Sequence, residues 1–386
     1  MAITLGDGGW SWFGDPRAVF HLGEFRRTYA GWVSRDGDIA VASFDHGSRK
    51  VQRAVLRSGL SVDDHHSPGL LMGVDGHLTV YYNGPGRASM LYRRTTRPED
   101  VSRWDAERRL PTNTPGKLGY TYPNPIHLAD ERRTYLFWRG AQWWPAFSRR
   151  LDGGRWTPAR TLLRISGQRP YLKLHSDGVR RIHIAYTEGN ANRFVNSIWY
   201  LRYERDAFHH ADGTRVAGLR GLPLAPAKGD RVYDARASGV RAWVWDVAAR
   251  HDGSPVIVYA LFPAGNDDCI YMYAEWTGQG WRNERIVNGG GRIGGMYAPG
   301  ISLDHENPDV VYLSREVDGR YVVERWRTAD GGATWDHRRI DAGKDGDCLR
   351  PITPRGRGGS GDVLWMQGSY GGWTAYQTDV RAHFTR

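Results

Sequence analysis

The chain has 386 residues, with 53 Lys plus Arg against 42 Asp plus Glu for a formal net charge of +11, and it carries 17 Trp, 20 Tyr and 49 Gly. No apolar run approaches the ~18 residues of a membrane-spanning helix, and this aromatic content argues against a disordered chain. A basic surface favours polyanions, but Arg and Lys are dispersed without a basic arm. Nucleic acid, anionic lipid and acidic polysaccharide are the partner classes such a charge allows, and its dispersal does not indicate a nucleic-acid arm.

Residues 1–8 show no basic stretch followed by an apolar run. The expectation is a secreted or cell-envelope protein whose signal is absent from this chain, with a cytoplasmic one as the alternative. Cys269 and Cys348 make neither a disulfide framework nor a zinc motif, and can be paired or free.

One theme recurs along the chain: an alternating apolar segment, a short turn with Asp and Gly, and a second such segment. It runs first from Gly31 to Phe44 around Asp36-Gly37, and then from Gly69 to Tyr82 around Asp75-Gly76. Asn124 to Trp138 follows, then Pro170 to Tyr186 with its turn at Asp177-Gly178. The fifth unit starts at Val244, the sixth at Gly300 and the seventh at Pro351. Starts roughly 35 to 70 residues apart match propeller blades of about four strands each. No amphipathic helix of ~10 residues is visible. The fold expected is all-β: a seven-bladed β-propeller of four-stranded antiparallel sheets, one domain over 1–386, with the segment from Trp10 onward joining the last sheet to close the ring.

Thr328-Ala329-Asp330-Gly331-Gly332-Ala333-Thr334-Trp335 fits the Asp-box pattern, in which an Asp caps backbone N–H groups of a hairpin and a Trp packs beneath it. It is structural, and its residues are not counted as catalytic.

Chemistry concentrates at Asp63-Asp64-His65-His66-Ser67-Pro68, a loop that feeds a strand, where a rigid sheet can present an imidazole to a ligand. Asp267-Asp268 and the trio Asp341, Asp345 and Asp347 offer oxygen ligands for a structural Ca²⁺ without EF-hand spacing. No phosphate loop, nucleotide motif or Ser-His-Asp signature is present.

Together with Tyr122-Pro123-Asn124-Pro125, Tyr135-Leu136-Phe137-Trp138-Arg139-Gly140, Arg169-Pro170-Tyr171, Tyr273-Ala274-Glu275-Trp276 and Leu349-Arg350-Pro351, this loop resembles the motifs of the BNR-4 repeat propellers. That family includes ulvan lyases and rhamnose–glucuronate lyases, with related propeller α-L-rhamnosidases, and the likeness runs from about Gly8 to Tyr376. It implies β-elimination beside a uronate without a required cofactor, on an acidic polysaccharide or oligosaccharide, with neither nucleic acid nor membrane as partner. Arg139 matches the Arg that neutralises the carboxylate, Tyr122 a Tyr acting as acid or base, and His65 the first of two catalytic histidines. Arg suits a carboxylate because its planar fork binds both oxygens, and His titrates near neutrality.

Two departures stand out. The second histidine falls at Pro85, and the histidine of a Gly-His-Pro segment is here Asn190. His66 is one substitute. Asn124, Arg169, Tyr171 and Arg350 are further expected substrate contacts, the alternative for the arginines being ring-closing salt bridges. Trp143 and Trp144 suggest a platform for a sugar ring, or packing between blades. The leading reading is a polysaccharide lyase acting on a rhamnose–glucuronate type polymer. The missing histidines keep two others open, an α-L-rhamnosidase-type hydrolase and a non-catalytic carbohydrate-binding propeller.

Overall fold

The computed structural model describes residues 2–263, 268–357 and 359–385. The alternating segments pair into seven antiparallel sheets arranged as propeller blades. The first strand of each blade lies innermost, against the first strands of its neighbours. Burial falls from the centre outward. The second strand of the third blade, Arg133–Arg139, is buried on both faces over most of its length, whereas the fourth strand of the sixth, Asp336–Asp341, is largely exposed. A strand sandwiched between blades must be apolar on both sides, and an outer strand need not be.

The Asp-Gly turns sit where the sequence places them. In the second blade, Gly69–Met72 and Leu78–Asn83 are joined through Gly76 at φ +73°, with Gly73 N–H donating to the His77 carbonyl at 2.9 Å. The Asp-box forms as expected between Arg320–Arg327 and Asp336–Asp341. Asp330 accepts from Thr334 N–H at 2.9 Å, and Trp335 Nε1 donates to the Gly332 carbonyl at 2.9 Å.

Closure of the ring differs from expectation in one respect. Ile3–Asp7, not the segment from Trp10, pairs with Ala375–His383 to complete the seventh blade. The chain then turns inward at Gly8, φ +123°, where a Cβ would lie 2.0 Å from the Val33 carbonyl oxygen. Trp12 stacks on Trp245 at 4.4 Å between centroids and donates Nε1–H to the Val244 carbonyl at 3.1 Å. Phe13 lies 4.8 Å from the Tyr171 ring. Trp10, Trp12 and Phe13 are too uniformly large and apolar for a half-exposed edge strand, so they fill the axis between the inner strands.

The fourth blade is the enlarged one: Ala207–His209, Arg215–Gly218 and Asp230–Tyr233 extend its sheet to six strands. Ala235–Ser238 is the sole α-helix among the described residues, and no helix is long and apolar enough to cross a membrane. Cys269 and Cys348 are both free and buried, so there is no disulfide between them.

Candidate active site

A cavity of about 490 Å³ opens at the mouth of the channel where the innermost strands begin, with Trp12 and Phe13 in its wall. His65 reaches it from a single 3-10 turn, Asp64–His66, whose N-cap is Asp63. Asp63 Oδ1 accepts from His65 N–H at 3.0 Å and lies 2.8 Å from His65 Nδ1. Asp64 Oδ1 is 3.1 Å from the same nitrogen. Two carboxylates on Nδ1 fix the proton there and leave Nε2 as the free, basic nitrogen. Burial pulls the imidazole below its usual titration range against the opposing pull of Asp64, while Arg139 and Arg350 lower it further.

Asp64 is itself anchored. Arg350 Nη1 binds Asp64 Oδ2 at 2.6 Å, and Tyr370 Oη donates to the same oxygen at 2.7 Å. Burial alone would raise the Asp64 carboxyl, but Arg350 and His65 outweigh it and hold it down to about 2.

Tyr122 and Arg139 come from the first two strands of the third blade, Thr121–Leu128 and Arg133–Arg139. Thr121 pairs with Arg139 and Asn124 with Phe137, so Tyr122 and Pro123 together oppose Trp138 alone. This bulge puts Tyr122 at φ +61° and turns its ring onto His65, centroids 5.4 Å apart and near parallel. A bulge beside a site re-aims a side chain in this way. Among the described residues the Tyr122 hydroxyl has no hydrogen-bond partner, and burial pushes its phenol well above its usual range, against Arg139, so it retains its proton. Leu349 pairs with Met366 and Ile352 with Leu364, so a matching bulge holds Arg350 at φ +49°.

Arg139 is only 5% exposed and has no carboxylate partner among the described residues. Its Nε donates to Thr121 Oγ1 at 2.9 Å, and its guanidinium carbon lies 4.4 Å from the Tyr122 ring centroid, 4.6 Å from Trp143 and 5.2 Å from Tyr171. Aromatic faces compensate part of the buried charge but leave most of the guanidinium N–H groups available for a ligand. Arg169, exposed at the rim, covers the same Trp143 ring at 4.5 Å.

The cavity therefore gathers six of the expected residues: His65, Tyr122, Arg139, Trp143, Arg169 and Tyr171. Four others do not line it. His66 is buried with Nδ1 2.8 Å from Asn83 Nδ2, because neighbouring residues of a 3-10 turn project about 120° apart and only one of the pair can face the cavity. Asn124 donates Nδ2–H to the carbonyls of Phe13 at 3.0 Å and Tyr122 at 2.8 Å, and so ties the plugging segment to the bulge. Trp144 turns away to donate to the Ile165 carbonyl at 3.1 Å. Arg350, buried under Asp64, is the salt bridge offered as the alternative to a substrate contact.

Sequence reasoning missed Arg87, Tyr297 and Trp373, all of which line the cavity, whereas Asn190 does so from the position of the absent histidine. Pro85 is exposed, in the turn Pro85–Arg87 that carries Arg87 inward. A Gly-Pro-Gly-Arg hairpin was the available signal for that cation.

Among the described residues, Asp63, Asp64 and His65 are the one group of three metal-competent side chains with ligand atoms within 4.8 Å of one another. Both carboxylates are already neutralised, Asp63 by Arg87 and Asp64 by Arg350, so this trio orients the imidazole and does not suit a resident cation. The trio Asp341, Asp345 and Asp347 forms no such group. Asp341 accepts from Gly343 N–H at 2.9 Å and Asp347 from Tyr321 N–H at 3.2 Å. Asp267 lies outside the described residues.

Fold and cavity together define a seven-bladed propeller with a basic, aromatic-walled pocket at one channel mouth. Residues 27–289 match the BNR repeat-containing family, and the chain belongs to it. No curated protein matches the sequence. Among solved structures, it is similar to a PL25 ulvan lyase bound to -[GlcA(1-4)Rha3S]-, at 14% identity and TM-score 0.74 over 100% of this chain and 96% of that one. The polysaccharide lyase Uly1 follows at 11% identity and TM-score 0.64, covering 98% and 92%. The BP39L lectin of Burkholderia pseudomallei is similar at 11% identity and TM-score 0.55, covering 98% and 96%. At these identities the likeness is one of fold.

Proposed function

We propose that the protein is a polysaccharide lyase that cleaves an acidic, rhamnose–glucuronate type polysaccharide beside its uronate by β-elimination. The observation that carries this reading is Arg139, a buried guanidinium without a carboxylate partner among the described residues, stacked on Tyr122 and lining the same cavity as His65. A uronate carboxylate supplies the missing charge. Bidentate pairing with Arg139 drains electron density from C5 and stabilises the anion that forms there.

Nε2 of His65 removes the C5 proton, with Nδ1–H held by Asp63 and Asp64. The C4–O bond breaks as the C4–C5 double bond forms, and the protonated Tyr122 hydroxyl gives its proton to the departing oxygen. His65 then returns its proton to the tyrosinate through water. Because His65 and Tyr122 stack on one wall, proton and leaving group depart from one face of the ring. This suits glucuronate, whose C5–H and C4–O bonds lie on the same side.

A two-carboxylate hydrolase finds less support. Asp64 is the sole carboxylate lining the cavity among the described residues, and its depressed pKa is unsuited to a general acid. The test is mass spectrometry of the oligosaccharides released from ulvan or a similar glucuronate-rhamnose polymer. Elimination yields chains one water lighter than hydrolysis does. Products of full hydrolytic mass would overturn the lyase reading.

A further inference from the structure

Arg87 occupies the hairpin in which the resemblance places a second histidine. Its backbone is fixed at φ +56°, with Arg87 N–H donating to the Gly84 carbonyl at 3.0 Å and Tyr120 N–H donating to the Arg87 carbonyl at 3.1 Å. The guanidinium carbon sits 5.5 Å from the Trp373 ring centroid and 5.9 Å from that of Trp143, and the side chain lines the cavity. One terminal nitrogen is paired with Asp63 Oδ2, and the remaining N–H groups have no protein partner among the described residues. The other oxygen of that carboxylate holds His65 Nδ1.

We propose that Arg87 is a second anion-binding group of the cavity and that, by sharing Asp63 with His65, it couples occupancy of the cavity to the proton affinity of His65. This rests on the reading of the cavity as a uronate site. In the empty protein Arg87 neutralises much of the Asp63 charge, so His65 feels less of it. An anion that engages the free N–H groups of Arg87 competes for the same guanidinium. Asp63 is then released toward Nδ1–H, and His65 becomes a stronger base when the substrate is present. A second histidine could not act this way, because it carries at most one titrating charge; a guanidinium keeps its charge throughout and has five donors to divide between two anions.

The groups facing His65 are Asp63 and Asp64 from its own turn and Tyr122 and Arg139 from the third blade. Trp373 from the seventh blade covers its ring at 4.8 Å, and Arg350 and Tyr370 act through Asp64. His66, whose Nε2 is 3.9 Å from Asp63 Oδ2, is held down to about 4 by burial and by His65.

The experiment is a pH titration of the His65 ring by NMR on the full chain, for wild type, Arg87→Gln and Arg87→Lys, without ligand and with D-glucuronate as the probe. Arg87→Gln should raise the His65 midpoint by about one unit, and Arg87→Lys should return it toward the wild-type value. In an Asp63→Asn background, Arg87→Gln should produce no further change. Glucuronate should raise the midpoint in wild type and raise it less in Arg87→Gln. An unchanged or lowered midpoint in Arg87→Gln, or a shift that persists without the Asp63 carboxylate, would overturn the coupling. The titration needs no turnover. A shifted midpoint without polymer cleavage would sink the lyase reading alone, and cleavage without the shift would sink the coupling alone.

Discussion

Replacing Arg350 with Met should separate the anchoring of His65 from direct substrate contact. Arg350 and Asp64 are 1% and 3% exposed in their side chains, and the arginine also binds the Trp10 carbonyl at 2.6 Å and Tyr370 Oη at 2.7 Å. Asp64 is held to about 2 in the folded protein, against ~3.9 when unfolded, a difference that contributes roughly 2–3 kcal/mol near neutrality. A depressed carboxyl stabilises above its unfolded pKa and loses that contribution as the pH falls toward its folded one. Losing the hydrogen bonds to Trp10 and Tyr370 adds about 1 kcal/mol each, and the total agrees with the ~3–5 kcal/mol typical of breaking a buried pair. In the variant, burial raises the Asp64 carboxyl unopposed by Arg350, so it takes up a proton on mild acidification and ceases to be an unpaired charge. Urea unfolding followed by tryptophan fluorescence should show a gap of about 3–5 kcal/mol between wild type and variant at pH 7, shrinking clearly by pH 4. A gap of equal size at both pH values would refute the account of Arg350 as the counter-charge of Asp64.

The activity reading gives further expectations. kcat/KM should fall on the acid side as His65 becomes protonated; since burial lowers that group, the acid limb should lie below the ~6.5 of a free imidazole, and a limb well above it would contradict His65 as base. Tyr122→Phe should lower kcat by roughly 10²–10⁴ with the unfolding midpoint little changed, as expected of a hydroxyl without a hydrogen-bond partner among the described residues; near wild-type turnover would exclude it as the acid. Trp12→Ala should cost about 3–5 kcal/mol in urea unfolding, because it empties the channel axis beside Trp245; a loss under 1 kcal/mol would mean that the plug is dispensable.

The blades were legible because their determinants are local: alternation, Asp-Gly turns and the Asp-box each act within a few residues. Placement of residues 10–13 was not, because whether an aromatic run becomes an edge strand or a plug depends on the space between seven distant strands. In the site, the resemblance pointed to Tyr122 and Arg139 on one hairpin and to His65 on one loop, and the cavity brings the three together. The division of labour between His65 and His66 follows from a 3-10 turn that no periodicity announces. Arg350 sits next in sequence to nothing it serves, so a ring-closing salt bridge could be offered for it but its partner, Asp64, is fixed only by closure of the ring. Pro85 looked like the loss of a catalytic group; the same turn delivers Arg87, whose contact with Asp63 is made across a loop.

The central claim is that Arg139 awaits a uronate carboxylate, and ultraviolet absorbance tests it most directly. Wild-type protein incubated with a glucuronate-rhamnose polymer should generate the absorbance of a C4–C5 unsaturated uronate. Arg139→Ala, which strands no buried carboxylate, should stay folded and lose roughly a thousandfold or more of that rate. A folded Arg139→Ala protein that produced the absorbance at the wild-type rate would contradict the account.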